Sequence, residues 1–488
     1  MSVSPPPSSF PNPCQSFESE PSEPVSVNPN EAATNSLTGW LQFRQNLLSC
    51  WSEATYSLTS FEFSLLRQHY FVCNSPDTVR RVFLEEHDNY DRKSPQMRHA
   101  LEPLLGDGLF VSDGQLWRER REYCTPAFES DLLPDFAAMM VESAQELAEN
   151  WRSLPLDAPV DILNEMAKLT ARIIGRTIFG DDIAESEASQ VVQGFSNYQR
   201  HIEHIQIADA FGLSFLNWMT NPFRRIASLK SAYQVHEVID RIIDRYSQQK
   251  KNELSNLQES SRLTLLSLLL EGHTGKADSP KKCPLGFSAA RNEAIVMFMA
   301  GHETTANALA WTWYLLDHSP LVAAKLREEL DQVIGKRPPK YEDVVNLPYT
   351  RSVFEEAMRL YPPVPVLSRQ ARENDCLDDI TIHPNTIILV IPWLLHRHRL
   401  YWEKPNSFIP ERFLNPSSRP DNFVYIPFSA GRRACLGKRF GMMEGILCLA
   451  TLAQRFQPRL IPQHRVSIEC RITLRPEGGL PMYLNPLE

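Results

Sequence analysis

The stretch from Arg291 to Leu316 is apolar nearly all the way round a helical projection, and this constrains the fold more than any other feature of the chain. A helix without a polar face has no side to give to water, so other elements must cover it from every direction. With 488 residues, 42% of them apolar and 22% charged, the chain has the size and composition of a large globular protein. Residues 131–153, 161–179, 227–249, 288–316 and 321–334 carry apolar side chains at three- and four-residue spacing, which predicts helices. Phe61–Leu66 and His69–Cys73 are short, aromatic and β-branched, which predicts strands of a small sheet. Beyond residue 360 the chain turns Pro-rich, with a strand-like piece from Thr386 to Ile391. The polar stretches 248–262 and 272–284 are expected to be surface loops. The expected fold class is therefore mainly α with a small β component, in one domain over residues 37–488.

Residues 1–36 are rich in Pro, Ser, Glu and Asn, too poor in apolar side chains to offset their ordering entropy, and are expected to be a disordered tail. Nine cysteines are scattered singly with no C-x-x-C pair, which argues against a disulfide framework or a zinc site and suits a reducing cytoplasm. The net charge of -9 argues against general affinity for nucleic acid or anionic membranes. No run of about 18 apolar residues is free of charge, so no membrane anchor is expected.

The chemistry is concentrated around Cys435, in Phe428-Ser-Ala-Gly431-Arg-Arg433-Ala-Cys435-Leu-Gly437. A thiolate is a strong axial ligand for haem iron. Gly431 and Gly437 permit a tight turn that brings amide N–H groups to the sulfur, Phe428 shields it from water, and Arg433 suits a haem propionate. Ala300-Gly301-His302-Glu303-Thr304-Thr305 interrupts the central helix with a glycine, which costs roughly 1 kcal/mol relative to alanine. If that helix crosses a haem face, Gly301 leaves room for dioxygen, Thr304 offers a hydroxyl and Glu303 delivers protons. The structural alternative has the threonine bonding back to the preceding turn and Glu303 reaching a partner base.

Glu356 and Arg359 stand at i and i+3, and Arg412 follows in Pro410-Glu-Arg-Phe413. A buried Glu356 bridging both arginines would brace the loop that presents the thiol. Trp117 and Arg121, four apart, and Arg369 are further candidates for propionate contacts.

Taken in this order, the four segments resemble the cytochrome P-450 family over residues 37–488. Gly106-Asp-Gly-Leu-Phe-Val-Ser and A-G-H-E-T-T are similar to its bacterial fatty-acid hydroxylase branch and microsomal relatives. The resemblance implies haem b as cofactor with Cys435 as the proximal iron ligand and Glu303–Thr304 as the acid–alcohol pair. It also implies Glu356–Arg359–Arg412 as a structural triad, and Trp117, Arg121 and Arg433 at the propionates, with Ala300 and Gly301 lining the cofactor. The reaction expected is insertion of one oxygen atom from dioxygen into an apolar small molecule by a soluble, cytoplasmic monomer. Two alternatives are a haem-thiolate enzyme that uses peroxide or rearranges a hydroperoxide, and a non-catalytic haem- or lipid-binding protein.

The chain carries no P-loop or convincing dinucleotide fingerprint, so electrons should come from a separate ferredoxin or flavodoxin with its NAD(P)H-dependent reductase. Arg432, Lys438 and Arg439, with Arg118 and Arg120, are the expected basic docking patch. The substrate pocket is expected from Asn89–Phe110, Phe195–Trp218, Phe298, Met299 and Val364–Leu367, all apolar-rich. Arg67 and Tyr70 are candidates to hold a substrate carboxylate.

Overall fold

The structure is a computed structural model that describes Leu48 and residues 51–487, except 66–67, 129–131, 181–182, 211–221, 257–263, 272–284, 416, 418 and 471. The tail 1–36, Arg67 and the segment 272–284 lie outside the described residues.

Thirteen α-helices are present among the described residues. In chain order they are α1 Pro76–Arg80, α2 Pro95–Leu105, α3 Gly114–Cys124, α4 Leu133–Arg152, α5 Ile162–Phe179, α6 Glu185–Ala210 and α7 Pro222–Asn256. After them come α8 Leu265–Glu271, α9 Phe287–His318, α10 Pro320–Val333, α11 Pro348–Leu360, α12 Pro392–Leu395 and α13 Lys438–Ala453. The apolar stretch is the 32-residue α9, roughly 48 Å long at 1.5 Å per residue. It is buried along most of its length, with Ile295, Phe298, Leu309, Trp311 and Leu315 each at 1% exposure or less. It packs most extensively on α5, and α7, α10, α11 and α13 cover the rest. The helix predicted to end at Gln249 runs on to Asn256, so the expected loop from 248 begins as helix. Helices α1, α2, α6, α8, α12 and α13 lie outside the predicted set; α6 opens on Glu-Ser-Glu-Ala-Ser-Gln, where polar residues hide the period.

The small sheet is formed, in chain order, by β1 Ser60–Leu65, β2 Gln68–Cys73, β3 Leu367–Gln370 and β4 Ile387–Val390, which lie side by side in the order β1-β2-β4-β3. The first two make an antiparallel hairpin, β2 runs parallel to β4, and β3 closes the edge antiparallel, with Arg369 opposite Ile388. All three predicted strand segments are in this sheet. The edge strand β3 therefore delivers Arg369 from a rigid backbone. Among the described residues no helix is long and apolar enough to cross a membrane.

Candidate functional site

The Cys435 loop is built by local hydrogen bonds before it meets anything else. Cys435 N–H donates to Phe428 O at 2.9 Å and Ala434 N–H to Gly431 O at 3.1 Å, which closes a tight turn. Gly431 sits at φ +67°, and a Cβ there would lie 1.9 Å from Phe83 O, so no other residue fits. The Cys435 thiol is exposed, yet surrounding protein desolvates it and pushes its pKa up, partly offset by the Gly437 amide, Arg121 and Lys438. Cys435 is thus accessible in a setting crowded by protein. Phe428 packs at the start of α13, 3.6 Å from the Cβ position of Gly441. The same Cβ position lies 3.9 Å from Thr305 Oγ1, so the thiol loop and the middle of α9 are neighbours.

Within that buried helix the only accessible strip in its central turns is Met299, Ala300, Gly301 and Thr304, with Ala300 exposed and the other three half-buried. Thr304 Oγ1 donates to Ala300 O at 2.6 Å. The buried Glu303 accepts from Gln199 Nε2 at 2.9 Å and Thr473 Oγ1 at 2.8 Å, with Arg475 at 4.0 Å. Both features of the structural alternative are thus present, while Thr304 still reaches the accessible strip. The room expected beside Gly301 is taken by Ile174: a Cβ would stand 2.8 Å from its Cδ1. This glycine lets α5 and α9 approach closely.

Arginines and one lysine gather beside the thiol loop. Trp117 is buried, with the Arg433 guanidinium 4.7 Å and that of Arg121 5.8 Å from its ring. Arg121 Nη1 donates to Ala434 O at 2.8 Å, and Arg433 donates to Asp91 O at 2.6 Å and to Ser112 O. Arg369 is 2% exposed, lies 4.9 Å from the Phe83 ring and forms no ion pair among the described residues. Burial lowers its pKa to about 9, with Arg433 adding repulsion.

Lys93, which no sequence signal marked, is 7% exposed and hydrogen-bonds to no described residue. Its ammonium sits 4.6 Å from the Phe110 ring, and burial, Arg369 and Arg433 all depress its pKa strongly. Asp91 attracts both arginines but is itself paired with Arg372 at 2.6 Å, and Lys93, Arg369 and Arg433 form no ion pair among the described residues, so like charges gathered there leave the cluster short of negative charge. A dianionic group with two carboxylates, next to an accessible thiol, fits that deficit.

The brace at Glu356 is complete. Glu356 and Arg359 are both fully buried, with Arg359 Nε 2.6 Å and Nη2 2.7 Å from the carboxylate. Ile409 N–H donates to Glu356 at 2.9 Å and Arg412 Nε at 3.3 Å. Arg359 also donates to the carbonyls of His396, Pro405 and Ser407 at 2.7–2.9 Å, tying α11 to the segment that leads toward the thiol loop.

Two expectations need correction. Arg120 is no part of a surface patch: it is 7% exposed and paired with Asp107 at 2.8 Å and Glu293 at 3.6 Å. Trp117, Arg120 and Cys124 are buried at i, i+3 and i+7 of α3, a period that marks Arg120 as inward-facing. Arg118 and Arg432 are exposed but share Asp88, at 2.9 and 3.7 Å, while Lys438 and Arg439 are exposed without an ion pair among the described residues. Tyr70 is buried and stacks on Phe63 at 4.9 Å, which ties it to the strand hairpin.

The family model described as Cytochrome P450 matches residues 40–480. Cyclooctatin synthase of Streptomyces melanosporofaciens is 30% identical over 86% of this chain and 87% of its own length. A cytokinin hydroxylase of Arabidopsis thaliana is 32% identical over 86% of this chain and 79% of its own. The taurochenodeoxycholic 6 alpha-hydroxylase of Sus scrofa is 28% identical over 84% and 81%. The chain belongs to the cytochrome P450 family: it is a monooxygenase that binds haem b through a cysteine thiolate.

Proposed function

We propose that Cys435 is the axial thiolate and that this enzyme hydroxylates or epoxidises an apolar small molecule with electrons from a separate redox partner. The reading rests above all on one observation: an accessible thiol crowded by protein lies beside the buried Lys93 and Arg369 and the half-buried Arg433, three cations that form no ion pair among the described residues. Haem b, when held there, supplies dioxygen binding and O–O cleavage with the push of the thiolate. The chain's own residues do the rest. Phe428 and the Gly431 turn hold the sulfur and exclude water from it, and the Gly437 amide donates toward it. Lys93, Arg369, Arg433, Arg121 and Trp117 neutralise and orient the propionates.

Thr304 Oγ1 hands a proton into the accessible strip, and Glu303 resupplies it from the side of Gln199 and Thr473. Phe298, Met299 and the half-buried Leu109 and Phe110 give the pocket its apolar lining. A ferredoxin or flavodoxin docks at Lys438, Arg439, Arg118 and Arg432. The enzyme works as a soluble monomer in the cytoplasm.

Thr304→Ala tests the oxygen-activating role. With a redox partner and dioxygen, this variant should oxidise NAD(P)H at a near-normal rate while most of its electrons leave as hydrogen peroxide made from dioxygen, not as hydroxylated product. An enzyme that runs on peroxide alone, and keeps its full turnover in Thr304→Ala, refutes the assignment.

A further inference from the structure

The cation cluster has a wall, residues 106–113, and that wall is fastened from behind by a second buried polar group. Phe110 lies under the Lys93 ammonium at 4.6 Å, and Ser112 O accepts from Arg433. On the other side, Leu109 N–H donates to both oxygens of Glu293, at 3.0 and 3.1 Å. Glu293 is 0% exposed. Asn292 Nδ2 donates to Asp107 Oδ1 at 2.9 Å, and Arg120 Nη2 donates to Asp107 Oδ2 at 2.8 Å while its Nε stands 3.6 Å from Glu293.

The backbone is shaped for this contact. Gly106 has φ +57°, and a Cβ there would meet Asn292 Nδ2 at 2.2 Å; one at Gly108 would meet Val296 at 2.8 Å. One carboxylate on α9 and one arginine on α3 thus hold a loop that carries none of the proposed catalytic groups.

We propose that Glu293 is a positioning residue for the haem pocket, latching residues 106–113 onto α9 with Asn292, Arg120 and Asp107, and that its release opens the pocket on this side. The proposal rests on reading Lys93, Arg369 and Arg433 as the propionate site. The groups facing Glu293 are Arg120 and Cys124 on α3 and Asp107 in the loop; burial keeps Cys124 a neutral thiol. Burial also raises the Glu293 pKa from 4.5 to about 7, outweighing Leu109 N–H and Arg120.

Opening the loop lets water reach Glu293 and restores the lower value. The closed form therefore binds the proton more tightly, and its advantage is full below pH 4.5 and declines until about pH 7. Between about pH 5.5 and 7.5 the opening equilibrium should rise about 20-fold.

The test is hydrogen–deuterium exchange of the haem-loaded, full-length chain, corrected for the intrinsic pH dependence of exchange. Amides of 106–113 should open about 20-fold more readily across that range, and Glu293→Gln should abolish the dependence while peptides of α9 stay unchanged in both proteins. The same dependence in Glu293→Gln, or none in the parent, overturns the proposal. If Glu293→Gln does not take up haem, Asp107→Asn supplies the second arm, because Asp107 is half-exposed and its loss frees Arg120. It should raise exchange of 106–113 severalfold, and unchanged protection sinks the latch. The spectrum of the reduced, carbon monoxide-bound protein separates the two readings: a thiolate spectrum with an insensitive loop rejects only the latch, whereas a histidine-like spectrum rejects Cys435 as the iron ligand and with it the haem site on which the latch rests.

Discussion

Glu356→Ala removes the acceptor for four donors at once, and the structure sets the size of the loss. Arg359 Nε and Nη2, Arg412 Nε and Ile409 N–H all point at this carboxylate, within 2.6–3.3 Å. Arg359 is fully buried and keeps only backbone carbonyls as partners once Glu356 is gone. An uncompensated buried charge costs about 3–5 kcal/mol, against about 5–15 kcal/mol for the whole stability of a domain. Glu356→Ala should therefore lose about 3–5 kcal/mol in equilibrium urea unfolding and should retain little haem after purification.

Glu356→Gln keeps an oxygen for Ile409 N–H and should fall between the two. Replacing the pair together, Glu356→Leu with Arg359→Leu, should cost less than the sum of the single changes, because neither charge is left alone. A Glu356→Ala protein within about 0.5 kcal/mol of the parent, or strictly additive changes, would refute the account of a desolvated brace.

Two further perturbations follow from charge. Lys93 and Arg369 both have depressed pKa values in the fold, so the unfolded chain binds more protons and stability without haem should rise with pH below the ordinary lysine value of 10.5. Lys93→Met should flatten that rise and stabilise the haem-free protein while speeding haem loss to a scavenger; faster loss together with lower haem-free stability would contradict it. Reversal of Lys438 and Arg439 to Glu should slow reduction by an acidic partner at least tenfold at low salt and reduce its salt dependence. Unchanged rates at both ionic strengths would remove this patch from electron entry.

What was legible in the sequence was what short spacing encodes. Glu356 and Arg359 meet because i and i+3 share a helix face, and Gly431 is required because the turn before Cys435 brings its backbone against Phe83. The length of α9 followed from its uninterrupted apolar surface. Contacts closed by distant chain segments were not legible. Lys93 lies in a charged run, Asp91-Arg-Lys-Ser94, and nothing local shows that it turns inward toward Arg369, 276 positions later.

The partners of Glu303 come from α6 and from the connection between two strands near the C-terminus, so its hydrogen bonds had no sequence signature. Arg120 differs for another reason: it neighbours Arg118 in sequence, but a helix sends positions two apart to different faces, so Arg118 is exposed while Arg120 points inward. The glycine at 301 carried a signal of close approach, but the partner, Ile174, is set by the packing of α5.

The central claim is that Cys435 is the thiolate that holds the iron. The most direct measurement is the absorption spectrum of the reduced protein with carbon monoxide, taken for the parent and for Cys435→Ser. A strongly red-shifted Soret band in the parent that is lost in Cys435→Ser is the predicted result. A histidine-like band in the parent, or a red-shifted band that survives in Cys435→Ser, would contradict the account.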